Sequence, residues 1–188
     1  EIPGSLVGSE MCIRDRGYYK QQFMPTLFAS SDQGLSTYLY NEFKRGIVTS
    51  TNQSLNNLWK ELYLGIREAN NVIANVPNID MDEELKHRII GEAKFLRALH
   101  YFNLVRCFGE VPLRITPVEA GDDQGLAVSS IVEIYDSIID DLNYASLHCW
   151  GRNESRGNYT NDLGRATNTS GLNEFVEYFE EKKEKLNI

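Results

Sequence analysis

The sequence predicts an all-α fold made of long helices that pack in pairs, and three observations support this prediction. Three segments place apolar residues at the three- and four-residue spacings of an amphipathic helix. Two of these segments open with side chains at the spacing of a capping box. The longest one closes on a glycine followed by a proline, which are common signals of a helix end.

The composition is that of a globular domain and excludes several classes of protein. The chain has 188 residues, of which 41% are hydrophobic and 24% charged, so one domain can bury a core. Its net charge is −8 and it has no basic tract of five residues, which argues against nucleic acid as a partner. No apolar run reaches the roughly eighteen residues of a membrane-spanning helix. The three cysteines form no C-x-x-C pair and indicate neither a disulfide framework nor a zinc site.

The first predicted helix lies within residues 51–78. Its apolar side chains alternate steps of four and three residues, at Leu55, Trp59, Leu62, Ile66, Ala69, Ile73 and Val76. Such a narrow seam is typical of a helix that packs lengthwise on a nearly antiparallel neighbour. Pro77 and Asn78 are predicted to end this helix.

The second predicted helix begins near Asp80 and ends at Phe108. Asp80 and Glu83 have the spacing of a capping box, with Asp in place of the usual Ser or Thr. From Phe95 onward, apolar residues point in nearly all directions around the helix axis. A helix that is apolar all round is buried between neighbours, so we expect this one to be central in a layered array. Gly109 is predicted to supply the left-handed residue after the last turn.

Polar residues also occur on this apolar second helix, and we predict structural roles for them. Glu92, Arg97 and Arg106 are expected to form buried or half-buried polar pairs that fix the register of the helix. His100 lies among apolar residues, where a core histidine is the usual explanation. The chain has no nucleophile elbow and no phosphate-binding or dinucleotide-binding glycine pattern. The sequence therefore predicts no catalytic residue and no cofactor.

The third predicted helix opens at Ser130, which forms a capping box with Glu133. Its apolar side is formed by Ile131, Ile134, Tyr135, Ile138, Leu142 and Ala145. The polar residues 148–168 are predicted to be a loop, and residues 172–186 to include a last amphipathic helix.

Long helices joined by a short hairpin indicate tetratricopeptide-like helix pairs, the building block of an α-solenoid. Ala98 and Phe102 have the A-x3-F spacing of such repeats, and Pro112 follows them. The helices are longer than those of a standard repeat, and no clean period recurs along the chain.

The segment before the first helix, residues 21–46, is rich in aromatic residues and has no helical or strand periodicity. Aromatic rings on a loop can stack on sugar rings while nearby amide and carboxylate groups bind hydroxyls. The candidate residues for such a site are Asp32, Tyr38, Tyr40 and Asn41. Alternatively, the aromatic side chains cover the hydrophobic edge of the helices.

In sequence, the chain resembles the SusD/RagB family. The resemblance is carried, in order, by LWKELYLGIREANNVIANV, GEAKFLRALHYFNLVRCFGEVPL, SSIVEIYDSIIDDLNYA and GRAT. It covers residues 27–167, and the length, order and spacing of these stretches agree with the family. The resemblance implies an all-α fold of tetratricopeptide-like helix pairs with long aromatic loops.

The resemblance also implies a function. Family members are surface-exposed lipoproteins of the Bacteroidetes outer membrane that bind a polysaccharide or oligosaccharide and pass it to a SusC-like TonB-dependent transporter. They act without catalysis, and the implied site needs no metal and no cofactor. The lipid-carrying cysteine and its signal are expected upstream of this chain, so contact with the membrane would be made only through that anchor.

The resemblance assigns individual roles within the aromatic segment. In the family a TDE-like stretch precedes an aromatic loop that touches sugar, and SSDQGLSTYLYN occupies that place here. Asp32 would be the matching acid and Tyr38 would replace a sugar-stacking tryptophan. Asn41 would match a hydroxyl-binding asparagine, and Tyr40 lies beside it.

The sequence divides the chain into three parts. Residues 17–167 form the SusD-like helical region. Residues 1–16 contain SLVGSEMCIRDR, which resembles a translated sequencing adapter, and we interpret them as a non-native segment. The alternative is a disordered leader, and in either case the segment is excluded from the fold. Residues 168–188 are a divergent tail that differs from the alanine- and leucine-rich helix with which the family continues, as expected of a truncated or chimeric chain.

Two alternatives from other classes stay open at this point. A soluble helical-repeat adaptor would bind a protein segment in a groove, as solenoids often do. A small helical metalloenzyme would use Glu84 and His87, which have the E-x-x-H spacing of four-helix di-iron sites. Such a site needs a second E-x-x-H motif, which the sequence lacks, so an exposed ion pair is the simpler explanation.

Overall fold

The computed structural model describes residues 41–118, 125–149, 177–178 and 180–181. These residues form four α-helices, α1 (Asn41–Lys44), α2 (Gln53–Asn75), α3 (Glu83–Phe108) and α4 (Ile131–His148), with a 3₁₀ turn at Val76–Asn78. The described part of the predicted tail, residues 177–178 and 180–181, is helical as well. No strand occurs in the described ranges, where Val111 and Ser129 form an isolated antiparallel bridge. The all-α prediction is confirmed.

The described residues fall into two compact units that divide between Tyr63 and Leu64, within α2. In the first unit, Leu58 and Leu62 are fully buried. The second unit contains the end of α2, the 3₁₀ turn, α3 and α4, and α3 packs against both α4 and the turn.

Helix starts are set by side-chain caps, one of which the sequence placed correctly. The Ser130 hydroxyl accepts a hydrogen bond from the Glu133 N–H, and the Glu133 carboxylate accepts one from the Ser130 N–H, forming the predicted capping box. The prediction for α3 was wrong, because Asp82 rather than Asp80 is the cap. The Asp82 carboxylate accepts a hydrogen bond of 3.0 Å from the Leu85 N–H.

Helices α2 and α3 end where the sequence predicted, near Pro77 and at Gly109. After Asn75 the chain tightens into the 3₁₀ turn that contains Pro77, whose N–H is missing and cannot continue the α-helical pattern. Gly109 has φ +75° and ψ −127°, so its φ is positive as predicted, although its ψ differs from that of the left-handed helix. Its N–H donates to the Val105 carbonyl over 2.9 Å, which closes α3.

The apolar seam predicted for α2 is confirmed in part. Four of its members are buried: Leu62, Ile66, Ala69 and Val76. Leu55, Trp59 and Ile73 are half-buried, whereas Leu58, which the alternating spacing left out, is fully buried. The buried stripe is therefore wider than a coiled-coil seam.

Helix α3 is enclosed along its second half, as its composition predicted. Within residues 95–108, Arg106 alone is exposed. Polar residues share the most buried positions, because Arg97, His100 and Asn103 are 5%, 7% and 2% exposed. The His100 ring lies against Gly65 of α2, where a Cβ atom would come within 2.6 Å of the ring carbon Cδ2.

Candidate functional site

The predicted ligand residues lie at the edge of the described chain. Asp32, Tyr38 and Tyr40 are outside the described residues. Asn41 is described only as the first residue of α1, so the last part of the predicted aromatic loop is a short helical turn. The structure describes the polypeptide that directly follows them, from Glu42 to Val118.

The segment from Glu42 to Asn52 is a closed loop. The side-chain Nδ2 of Asn52 donates to Oε2 of Glu42 over 2.6 Å, which joins the two ends. Inside the loop, the Ile47 N–H donates to the Glu42 carbonyl over 3.0 Å, and the Asn52 N–H donates to the Thr49 carbonyl over 3.0 Å. A short segment whose ends meet in this way is an Ω-type loop, and we call it the 42–52 loop.

Both the oxygen and the nitrogen of the Asn52 side-chain amide form hydrogen bonds. Its Oδ1 accepts a hydrogen bond of 3.1 Å from the Leu55 N–H, which caps the first turn of α2. Its Nδ2 makes the bond to Glu42, and the residue is only 7% exposed. Sequence reasoning missed this pair, although an asparagine directly before an apolar helical pattern is a recognised cap signal.

A buried polar network in the second unit centres on Arg97. Its Nε and Nη2 atoms donate to the two carboxylate oxygens of Asp141 over 2.7 and 2.8 Å. Its Nη1 donates to Oδ1 of Asn70 over 2.7 Å and to the Ile115 carbonyl over 2.9 Å. Lys94 also contacts Asp141, with Nζ 3.0 Å from Oδ1. Arg97 therefore links α2, α3, α4 and the segment that follows α3.

The same network holds the chain beyond α3 in place. Nδ2 of Asn70 donates to the carbonyls of Arg114 and Thr116 over 3.0 and 3.2 Å. The Tyr101 hydroxyl donates to the Arg114 carbonyl and accepts from the Arg114 N–H, over 2.9 and 2.7 Å. Burial raises the pKa of Tyr101 to about 12, so its hydroxyl stays protonated. These groups are committed to structural hydrogen bonds.

The prediction of register-fixing polar pairs is confirmed for Arg97 alone. Glu92 is exposed and lies 3.3 Å from Nε of Arg88 in the same helix. Arg106 is exposed and lies over the ring of Phe102, 5.0 Å from its centroid. Both side chains are exposed, and these two contacts lie within α3, so neither residue forms the buried or half-buried pair that was predicted to fix its register.

Contacts of His87 do not support a metal centre. Nδ1 of His87 shares a hydrogen bond of 2.8 Å with the Tyr144 hydroxyl, and its ring stacks on His148 with centroids 4.9 Å apart. Glu84, its E-x-x-H partner, is exposed. Within the described ranges, no group of three or more His, Cys, Asp or Glu side chains could hold a metal ion. In the same ranges, no helix has the length and apolar character needed to cross a membrane.

The match to a family model shows which protein family the chain belongs to. The SusD-like model, described as "starch-binding associating with outer membrane", matches residues 13–149. The chain belongs to this SusD-like family. The resemblance stated from sequence alone is thereby confirmed.

Individual SusD-like relatives agree with the family model. SusD-like protein P2 of Formosa agariphila is 32% identical over 154 residues, which are 77% of this chain and 30% of the relative. A solved structure described as a laminarin-binding SusD-like protein has a TM-score of 0.70 and 26% identity, covering 91% of this chain and 38% of that one. Another, described as containing a xylogluco-oligosaccharide, has a TM-score of 0.65 and 26% identity, covering 77% and 29%.

These similarities confirm the fold and define its extent. The helical, tetratricopeptide-like arrangement predicted from sequence is the one that these SusD-like structures share. The chain spans less than a third of the length of the curated relatives that it matches, 19% and 30% of the first two.

Proposed function

We propose that this chain takes part in capturing a polysaccharide or oligosaccharide at the surface of the bacterial outer membrane. The observation that carries the proposal is the match of the SusD-like model to residues 13–149, because its description names both starch binding and the outer membrane. The similarity to a laminarin-binding structure and to one with a xylogluco-oligosaccharide supports a carbohydrate as the ligand.

The proposed role is binding without catalysis. In the described part of the chain, the buried ionisable pair Arg97 and Asp141 is committed to joining helices. The family description and the description of the laminarin-binding relative both name binding, which supports this role.

We further propose a partner and a location. The captured glycan would pass to a SusC-like TonB-dependent transporter, and the protein would be a surface-exposed lipoprotein with its anchor upstream of the present residues. Both statements rest on the family to which the chain belongs.

Within this function, we assign ligand contact to Asp32, Tyr38, Tyr40 and Asn41. Tyrosine rings would stack on sugar faces, and the carboxylate and amide would bind sugar hydroxyls. This assignment rests on the sequence pattern of the segment and on its place in the family.

Native electrophoresis in gels containing laminarin, xyloglucan or starch tests the proposal. We expect at least one of these neutral polysaccharides to retard the 188-residue chain, without releasing new reducing ends. Tyr38→Ala should weaken binding roughly five- to tenfold, because it removes one stacking ring. The matched control is Tyr178→Ala, at a tyrosine that is 43% exposed and outside the segment.

The possible failures separate two claims. If none of the polysaccharides retards the parent chain, the glycan-capture proposal is wrong. If the parent binds and Tyr38→Ala binds equally well with an unchanged circular dichroism spectrum, the residue assignment is wrong and glycan capture stands.

A further inference from the structure

The segment proposed to contact ligand runs directly into the 42–52 loop. Asn41, the last of its four assigned residues, is followed by Glu42, whose carboxylate is bound by Asn52. No flexible linker lies between them, since Asn41 and Glu42 belong to the same helical turn, α1. Whatever fixes Glu42 therefore also fixes the end of the ligand segment.

The bond that fixes Glu42 is of a strong kind. It joins a neutral donor to an ionised acceptor over 2.6 Å, and charge-assisted hydrogen bonds are roughly twice as strong as neutral ones. Its donor residue is 7% exposed, whereas Glu42 is exposed, so the bond is shielded from water on the Asn52 side only. The other end of the Asn52 amide is held by the Leu55 N–H, which prevents the side chain from rotating away.

We propose that Asn52 is a positioning residue for the ligand segment, acting through Glu42 and without touching the glycan. This inference rests on the proposed function. It assigns to the 42–52 loop a defined role, which is to hold the carboxyl-terminal end of the binding segment against the start of α2.

A simple capping role must be separated from this positioning role. The substitution Asn52→Asp does so, because Asp caps a helix as well as Asn does. The same substitution removes the Nδ2 donor and places a second carboxylate against that of Glu42, which breaks the bond to the loop. A residue that only caps α2 would tolerate the change.

The test measures glycan affinity and local hydrogen exchange in the full chain. We expect Asn52→Asp to bind the retarding polysaccharide about tenfold more weakly, the size of effect seen when a charge-assisted hydrogen bond is lost. Backbone amides of residues 41–52 should exchange faster than in the parent. Amides of α3 and α4 should exchange as in the parent.

Two further variants complete the design. The double variant Glu42→Gln/Asn52→Asp reverses donor and acceptor, since the new amide can donate to the new carboxylate, and should recover most of the affinity. Gln53→Ala is the matched control, because it removes an exposed side-chain hydrogen bond of 2.8 Å to Asn57 in the same turn of α2. The control should bind like the parent.

The outcomes are distinct for the two proposals. Parent-like binding and exchange in Asn52→Asp would overturn the positioning role while leaving glycan capture intact. If the parent binds none of the polysaccharides, glycan capture fails, and the exchange of residues 41–52 then decides positioning alone. Exchange that stays parent-like in that case also overturns it.

Discussion

At the scale of single residues, His100 shows how burial changes chemistry in this fold. Its imidazole is 7% exposed, and burial lowers its pKa from the ordinary 6.5 to about 4. The cause is desolvation, because a charged ring loses the water that would stabilise it. The sequence predicted a core histidine here, and its burial is confirmed.

This lowered pKa predicts that the protein loses stability in mild acid. Between about pH 6.5 and about pH 4 the unfolded chain binds a proton at His100 that the folded protein does not, so stability falls as the pH falls. The full effect of the shift is about 3 kcal/mol. Urea unfolding at several pH values in this window measures it.

The comparison variant for that measurement is His100→Gln. It should be less stable than the parent near neutral pH, because the packing against Gly65 is altered. Its stability should nevertheless fall less steeply with pH, since other titrating groups are common to both proteins. Parallel pH profiles for parent and variant would contradict the assignment to His100.

At the scale of elements, the sequence predicted which segments are helices. It did not predict which side chains cap these helices or join them. Periodicity located α2, α3 and α4, because it depends on residues close in the chain. The cap of α3 was misplaced since Asp80 and Asp82 are both acidic and close together, and only the backbone path shows that Asp82 meets the Leu85 N–H. Spacing alone cannot choose between such neighbours.

The partners of Arg97 show the same limit at longer range. The burial of Arg97 was predictable, because this residue lies on a helix that is apolar on nearly all sides. Asn70 and Asp141, which bind it, lie 27 and 44 residues away in the chain. Asp141 lies on the apolar side of α4, seven residues after Ile134 and three after Ile138, but spacing within α4 does not show which residue of α3 it meets.

We predict that Arg97→Ala destabilises the second unit by about 3 kcal/mol, because it leaves the Asp141 carboxylate buried without its bidentate partner. Lys94 still contacts Asp141, which places the expected loss at the lower end for a broken buried pair. Chemical unfolding followed by circular dichroism measures the change.

Two variants test the cause of that loss. Arg67→Ala removes an exposed ion pair with Glu68 and should cost less than about 0.5 kcal/mol. The double variant Arg97→Met/Asp141→Leu removes both buried charges and should cost less than Arg97→Ala alone. If Arg97→Ala cost no more than Arg67→Ala, the network would not be a main support of the helix packing.

At the scale of the whole molecule, the sequence predicted the family and the all-α class, and both are confirmed. The ligand residues remain a prediction, since Asp32, Tyr38 and Tyr40 lie outside the described residues. The supporting pair Glu42 and Asn52 was not predicted, because a bond between a loop and a helix cap leaves no periodic pattern in the sequence.

The overall charge leads to a prediction about ligand class. The chain carries a net charge of −8, which disfavours polyanions. Binding of a neutral glycan releases no condensed counterions, so its affinity should change less than about twofold between about 0.05 and 0.5 M NaCl. Affinity electrophoresis at several salt concentrations checks this. A steep, linear fall of log affinity with log salt would indicate an anionic ligand instead.

Because Gly65 lies close to the His100 ring, we expect these two positions, far apart in the chain, to vary together among relatives. A side chain larger than hydrogen at position 65 collides with the imidazole, and the buried ring has little room to move aside. We therefore expect covariation in which relatives with alanine or serine at the first position carry a smaller residue at the second. Any designed library of this helix pair should vary both positions together.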